Sequence, residues 1–293
     1  MPTGKGFDSF LGYLNGNEDY VSHYMGGHVD FHEKGSTGRS SNRSSGSSGS
    51  GSNCTAAFAG RYSTEVYAER AQQLLVRRAD PSVAPLFLYL AWQAVHEPLE
   101  APARYLAPYS DISSPLYIED QSRRVYAGML AALDDALANI SKTLEEHRLW
   151  RSTILVLSSD NGGMSGTYGM ACCKCGTSCG GLNYPFRGYK DSNWEGGLRA
   201  IGLIYAPAFL ARPGRSYTPL VWVGDWFRTL TFGAALASDG PAAAAAARRR
   251  LDPLLRSGPI DSVDQVCRYS PALMPDPMPA RVPFRPHTLR MRF

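Results

Sequence analysis

Cysteine is scarce, six among 293 residues, too few to build a disulfide scaffold of this size. No apolar run approaches the roughly 18 to 20 residues needed to span a bilayer; the strongest, residues 85–92, has the length of a strand. The opening Met1-Pro2-Thr3-Gly4-Lys5-Gly6 lacks the apolar stretch of a signal peptide. A dominant charge is also missing. The net charge is +4, but residues 248–293 hold nine Arg against four Asp, which leaves the preceding 247 residues at −1. A neutral body lacks the clustered basic face of a nucleic-acid-binding protein. With 44% hydrophobic and 19% charged residues, the chain has instead the composition of a globular protein with a sizeable core.

Along the chain, residues 1–34 are rich in Gly and aromatics and read as loop with short extended pieces. Residues 35–53 are almost entirely Ser, Gly, Asn and Arg, which predicts a disordered surface insertion because such a segment cannot bury enough apolar area to offset its ordering entropy. Ser63 is placed to cap a helix with Val66, Tyr67, Ala71, Leu74 and Leu75 at helical spacing, ending near Arg78. Residues 86–91, a continuous apolar run, read as a central parallel strand covered on both faces. Tyr126, Met129, Leu130, Leu133, Leu137, Ile140 and Leu144 repeat at three and four, the clearest amphipathic helix. Residues 153–157 form a second apolar run, a third strand is predicted at 198–206, and a helix with Trp226, Leu230 and Leu236 follows Asp225. Helix alternating with strand predicts an α/β fold with a mostly parallel sheet flanked by helices. We place one domain over residues 1–240, with a Cys-rich loop at 164–184. Residues 241–293, six alanines, three arginines and then a Pro/Arg-rich stretch, read as a low-complexity tail.

In parallel sheets, ligand groups gather on loops leaving the carboxyl ends of strands. His96 and Asp160-Asn161 both occupy such places. Asp160-Asn161-Gly162-Gly163 offers a carboxylate and an amide oxygen on a tight turn, the ligand chemistry of calcium or magnesium. The same residues also suit an ordinary turn whose side chains cap backbone amides. Lys190, with Arg187 or Arg199, could bind an oxyanion on a Gly-rich turn, Lys as a point charge and Arg as a fork; either could equally be a solvated charge or a partner of Glu195. Asp134-Asp135 does not form a converging pair, since helix neighbours point about 100° apart. Cys172, Cys173, Cys175 and Cys179 admit loop disulfides, a zinc site or free thiols; the lack of a CxxC pair weakens zinc, and three Asn-x-Ser/Thr sequons at Asn42, Asn53 and Asn139 favour disulfides.

Several segments then align with one family. Gly6-Phe7-Asp8-Ser9-Phe10-Leu11-Gly12-Tyr13, Gln93-Ala94-Val95-His96-Glu97-Pro98-Leu99, Tyr126-Ala127-Gly128-Met129, Ser159-Asp160-Asn161-Gly162-Gly163, Arg187-Gly188-Tyr189-Lys190 and Trp194-Glu195-Gly196-Gly197 resemble, in order, the sulfatases of the arylsulfatase B-like group. The resemblance covers about residues 4–236. It implies an alkaline-phosphatase-like fold and hydrolysis of a sulfate ester, with carbohydrate esters the expected substrates. It matches Asp160 and Asn161 to calcium ligands, His96 to the histidine at the sulfate and leaving group, and Lys190 to the lysine on a sulfate oxygen, with Arg187 nearby. A formylglycine made from cysteine would be the nucleophile, and the secretory pathway, lysosomal or extracellular, the expected location.

The departures are as specific as the matches. The family's Cys-x-Pro-Ser-Arg segment is absent: Cys54 precedes Thr-Ala-Ala, Cys175 precedes Gly-Thr-Ser and Cys267 precedes Arg-Tyr-Ser. The paired aspartates, Lys and His that the family carries before the Gly-Phe-Asp stretch have no counterpart either. We therefore read the sequence as an amino-terminally truncated sulfatase lacking the first family strand, without turnover by itself. Gly258-Pro259-Ile260-Asp261-Ser262-Val263-Asp264-Gln265 resembles the passage into the family's smaller C-terminal domain. The alternatives are a non-catalytic protein binding sulfated ligands through His96, Lys190 and the arginines, and a phosphate-ester hydrolase of the same superfamily.

Overall fold

In the computed structural model, residues 1–35, 52–53, 55–165, 179–207, 214, 216–231, 242, 245, 246 and 249 are described. The chain divides into two units, Met1–His147 with Gly166–Gly181, and Arg148–Ser165 with Leu182–Phe293. This division runs through the 1–240 segment that the sequence presents as one domain. Most of the 35–53 insertion, most of the Cys-rich loop and nearly all of the tail lie outside the described residues, as do Asn42, Cys172, Cys173 and Cys175.

The first unit opens with a 3-10 turn at Pro2–Lys5, then β1 (Ser9–Gly12), β2 (Tyr24–Met25), β3 (His28–Val29), β4 (His32–Gly35) and β5 (Ser52–Asn53). Strands β1, β4 and β5 form an antiparallel sheet in that order, with Gly12 opposite His32 and Asn53 opposite His32 on the other side. The two ends of the predicted disordered insertion are thus paired strand, because backbone ladders do not require apolar side chains. Strands β2 and β3 close through Gly26-Gly27, whose φ values of 57° and 83° suit a tight hairpin turn that side-chain-bearing residues resist.

Four helices follow: α1 (Thr55–Phe58), α2 (Ser63–Arg78), α3 (Ala103–Ser110) and α4 (Gln121–Glu146). Tyr62, not Ser63, occupies the cap position of α2; the Ser63 N–H donates to the Tyr20 carbonyl at 2.8 Å, so the chain is anchored before the helix starts. Asp120 caps α4, its carboxylate accepting the Arg123 N–H at 2.6 Å. The buried stripe of α4 runs through Met129, Ala132, Ala136, Ile140 and Leu144. Leu130 is exposed: the periodic leucines frame a face whose centre is alanine. On α2, Gln72 donates to Thr143 Oγ1 of α4 at 2.9 Å. Gly128 admits α3, since a Cβ there would lie 2.7 Å from the Leu106 side chain.

Two cores result. Tyr20, Tyr62, Leu99, Met129 and Ala132 form one, with Tyr20 and Tyr62 stacked at 5.2 Å. Phe31, Val66 and Tyr67 form the other, joined by Leu90 and Trp92. The 86–91 run has no regular secondary structure and belongs to no ladder among the described residues. Leu90 faces the core, while Phe87 and Tyr89 are 64% and 73% exposed. Apolar composition reports a preference for burial, whereas a strand also needs a neighbour for its N–H and C=O groups.

The second unit holds a 3-10 turn at Leu149–Ser152, β6 (Leu155–Ser158), α5 (Glu195–Leu198), β7 (Gly202–Tyr205) and helical residues 225–231. Strands β6 and β7 pair antiparallel, Ser158 opposite Gly202 and Leu155 opposite Tyr205. Every ladder among the described residues is antiparallel, where alternation predicted parallel pairing. The described residues between β6 and β7 form turns and the short helix α5, and β7 runs antiparallel to β6.

Beneath Phe31 lies a buried polar pair. The His23 Nε2–H donates to the Phe58 carbonyl at 3.1 Å, which turns Nδ1 toward Glu18 Oε1 at 3.5 Å, both side chains fully buried. The Tyr67 hydroxyl donates to the same Oε1 at 3.3 Å. Burial pushes the Glu18 carboxyl above its ordinary value of 4.5, only partly offset by His23 and Tyr67. Asp30 differs: burial pushes it up, but hydrogen bonds from Asn15, Leu14 and His32 outweigh that and hold it low. A raised carboxyl contributes stability that is complete below its unfolded value and lost as pH rises through the folded value. Glu18→Gln, neutral throughout, is therefore expected to gain in melting temperature relative to wild type as pH goes from 4 to 8. Differential scanning calorimetry across that range checks this, and a gap that narrows with pH contradicts it.

Candidate functional site

Strand β6 delivers Ser159 to the Asp160-Asn161 turn, the Ser159 N–H donating to Ile201 C=O at 3.1 Å. Ser159 Oγ donates to the Asn161 carbonyl at 2.7 Å, and Asn161 Nδ2 to the Gly162 carbonyl at 2.9 Å. These bonds leave Asn161 Oδ1 and the exposed Asp160 carboxylate without hydrogen-bond partners among the described residues. Two unspent hard oxygens suit a calcium ion, which takes six to eight. By themselves they would be only part of a shell: among the described residues no group of three or more His, Cys, Asp or Glu could hold a metal.

The next turns close on this one through backbone. Gly162 N–H donates to Gly197 C=O at 2.9 Å, and Gly196 N–H to Arg187 C=O at 2.8 Å. A Cβ on Gly162 would run into the Gly196 carbonyl, and one on Gly196 would lie 2.7 Å from the Arg187 carbonyl. Glycine here is a requirement of close approach. Lys190 N–H donates to the Gly163 carbonyl at 3.4 Å. Asn183 bridges the same places: its Oδ1 accepts Gly163 N–H at 2.8 Å while Nδ2 donates to the carbonyls of Gly163 and Gly188 at 2.7 and 3.1 Å. The structure thus joins the turns bearing Asp160, Asn161, Arg187 and Lys190 within the second unit.

Arg187 lies over the Trp194 ring at 3.9 Å and Arg199 over Phe186 at 4.4 Å. Arg199 also pairs with Glu195 at 3.1 Å, the structural partnership weighed from the sequence. A cleft of about 600 Å³ opens beside them, lined by Tyr184, Phe186, Arg187, Tyr189 and Trp194 among others. Tyr184 is 85% exposed and Trp194 51%. Asn183 and this aromatic cleft were not picked out from the sequence; Asn beside Pro185 reads as ordinary turn chemistry.

His96 belongs to the first unit. Its N–H donates to Gln93 C=O at 2.7 Å, its C=O accepts the Tyr20 hydroxyl at 2.8 Å, and Gln93 is tied to the Glu18 carbonyl at 2.5 Å. Burial holds the Tyr20 phenol well above its usual range, keeping it a donor. His96 Nδ1 faces the Glu97 carbonyl, an acceptor, at 3.0 Å, so that nitrogen carries the hydrogen. Cys179 is buried and disulfide-bonded. Asn139 is exposed on α4.

A turn of oxygen donors hydrogen-bonded to a turn of cations, on an α/β chain, has the parts for handling an oxyanion ester. The chain belongs to the sulfatase family: the family profile described as Sulfatase matches residues 1–231. It is 38% identical over 235 residues to mouse arylsulfatase J, covering 78% of this chain and 33% of that protein. It is 27% identical over 166 residues to dog N-acetylgalactosamine-6-sulfatase, covering 57% and 28% respectively. The chain thus spans a third or less of these relatives. A crystal structure of Ps i-CgsB in complex with k-i-k-neocarrahexaose superposes with a TM-score of 0.61 at 22% identity, over 90% of this chain and 50% of that one. That likeness shows the fold, the alkaline-phosphatase-like one.

Gly162→Ala is expected to destabilise the second unit by on the order of 3 kcal/mol, since backbone must shift. Gly16→Ala, where no atom lies within 4 Å of the new Cβ, serves as the neutral control in urea denaturation.

Proposed function

We propose that this chain is the part of a calcium-dependent sulfuric ester hydrolase that binds sulfate and leaving group, acting on carbohydrate sulfate esters. The observation that carries the reading is the backbone junction of the Asp160-Asn161 turn with the Arg187–Lys190 segment. Asp160 and Asn161 Oδ1 would hold calcium, which when bound supplies positive charge to a sulfuryl oxygen. Lys190 places a cation on another oxygen, and preorganised charge of this kind is typically the largest catalytic contribution. Arg187, stacked on Trp194, keeps its fork beside the cleft. By family resemblance His96 protonates the departing alkoxide through Nε2. The carbohydrate assignment draws on the aromatic cleft and on the names of the relatives, a hexosamine sulfatase and a protein crystallised with a carrageenan oligosaccharide.

Formylglycine does not fit any residue of this chain. None of its six cysteines stands in Cys-x-Pro-Ser-Arg, and no nucleophilic step is assigned to them. That absence favours a second reading for the 293-residue polypeptide by itself, binding of sulfated glycans without turnover. The Cys179 disulfide and the sequons at Asn42, Asn53 and Asn139 support a secretory, lysosomal or extracellular location.

The 293-residue polypeptide is expected to release no sulfate from a sulfated N-acetylgalactosamine or from p-nitrocatechol sulfate, measured by ion chromatography. The same chain preceded by the family's formylglycine-bearing segment is expected to turn over. In that longer protein Asp160→Ala or Lys190→Ala should lower kcat/KM by about 10² to 10³. Binding with no turnover in the longer protein would favour the non-catalytic reading. Preference for phosphate over sulfate esters would favour a phosphohydrolase.

A further inference from the structure

Asn183 uses its whole amide on the backbone of the two turns that carry the proposed ligands. Its Oδ1 accepts the Gly163 N–H at 2.8 Å and its Nδ2 donates to the Gly163 carbonyl at 2.7 Å, so it meets Gly163 as a neighbouring strand would. The second Nδ2 hydrogen reaches the Gly188 carbonyl at 3.1 Å. Gly163 follows Asn161 by two residues, and Gly188 precedes Lys190 by two. The Gly163 carbonyl also accepts the Lys190 N–H. The Asn183 carbonyl, in turn, accepts the Phe186 N–H at 2.8 Å, which fixes the backbone from which the amide projects.

We propose that Asn183 is a positioning residue for anion binding: it sets the distance between the Asp160-Asn161 turn and the Lys190 turn, and so where the Lys190 ammonium meets a sulfate oxygen. The role rests on the sulfatase reading of Lys190 given above. Only a side-chain amide can serve, because the position needs one acceptor and two donors together. A carboxylate of equal size would keep the bond from Gly163 N–H but set negative charge against two carbonyl oxygens. Protonated, it would regain one donor. Alanine loses all three bonds and leaves the Gly188 carbonyl without this partner.

The test uses the 293-residue chain with inorganic sulfate as the probe, read by Trp fluorescence titration, and amide hydrogen exchange at Gly163 and Lys190 without ligand. Asn183→Ala is expected to weaken sulfate binding about five- to tenfold, the loss of roughly one hydrogen bond's worth of organisation, and to speed Gly163 exchange at least as much. Asn183→Asp should lose binding similarly at pH 7 and recover part of it, relative to wild type, at pH 4. Affinity is read only where circular dichroism shows the variant folded, so that a role in stability alone would leave it as in wild type, and Asn183→Asp keeps the test decisive should Asn183→Ala not fold. Lys190→Ala should abolish sulfate binding while leaving Gly163 exchange as in wild type. If Lys190→Ala abolishes binding but both Asn183 variants bind as wild type does, the positioning role is overturned and the sulfatase reading stands. If wild type does not bind sulfate, or Lys190→Ala binds equally well, the reading of Lys190 fails and the role of Asn183 falls with it.

Discussion

Backbone meets backbone at Gly162, and most of what the second unit presents depends on that contact. The Gly162 N–H reaches the Gly197 carbonyl at 2.9 Å because residue 162 carries no Cβ, which would run into the Gly196 carbonyl. Once the two segments touch, the Asp160-Asn161 turn can no longer relax into a capping turn that spends both side-chain oxygens locally. The carboxylate stays exposed and Asn161 Oδ1 stays available, while the Asn161 amide nitrogen satisfies Gly162. The same junction brings Gly163 beside Lys190 and Gly196 beside Arg187. The turns bearing Asp160 and Lys190 are therefore joined by main-chain contacts, which the Asn183 amide bridges a second time.

In the first unit the corresponding constraint is a buried polar pair rather than a glycine. Glu18 and His23 are enclosed by Phe31, Tyr67 and the Phe58 carbonyl, with His23 Nδ1 3.5 Å from Glu18 Oε1. Such a pair is costly to bury and more costly to break, so the loop that carries it is held in one conformation. The Glu18 main-chain carbonyl then anchors Gln93, and Gln93 with Tyr20 fixes the backbone of His96. The backbone of His96, in a Pro-flanked turn, is steadied by hydrogen bonds to Gln93 and Tyr20, not by regular secondary structure.

Some of this was legible in the amino-acid order. The stripe at three and four along α4, the Asp-Asn-Gly-Gly turn after an apolar strand and the cationic Gly-rich turn are local patterns, and each occurs where its chemistry places it. Others were not. The run at 86–91 is as apolar as a buried strand, yet strand pairing depends on a neighbour far away in sequence, and composition does not name one. Glu18 and His23 are five residues apart with no periodicity to link them; only the fold desolvates them together. Asn183 looked like a turn residue because its partners, Gly163 and Gly188, lie 20 and 5 positions away.

The sequence by itself determined the family and the long helices α2 and α4, though not the short α3 in a Pro-rich stretch, since periodicity and motif order are carried by residues close to one another in the chain. Tertiary structure alone decided the antiparallel return of β7 onto β6, the exposure of Phe87 and Tyr89, the burial of Glu18 against His23 and the closure of Gly162 on Gly197. Each of these depends on which distant segment comes within a few ångströms, and a short-range interaction has no effect until folding brings its two halves together.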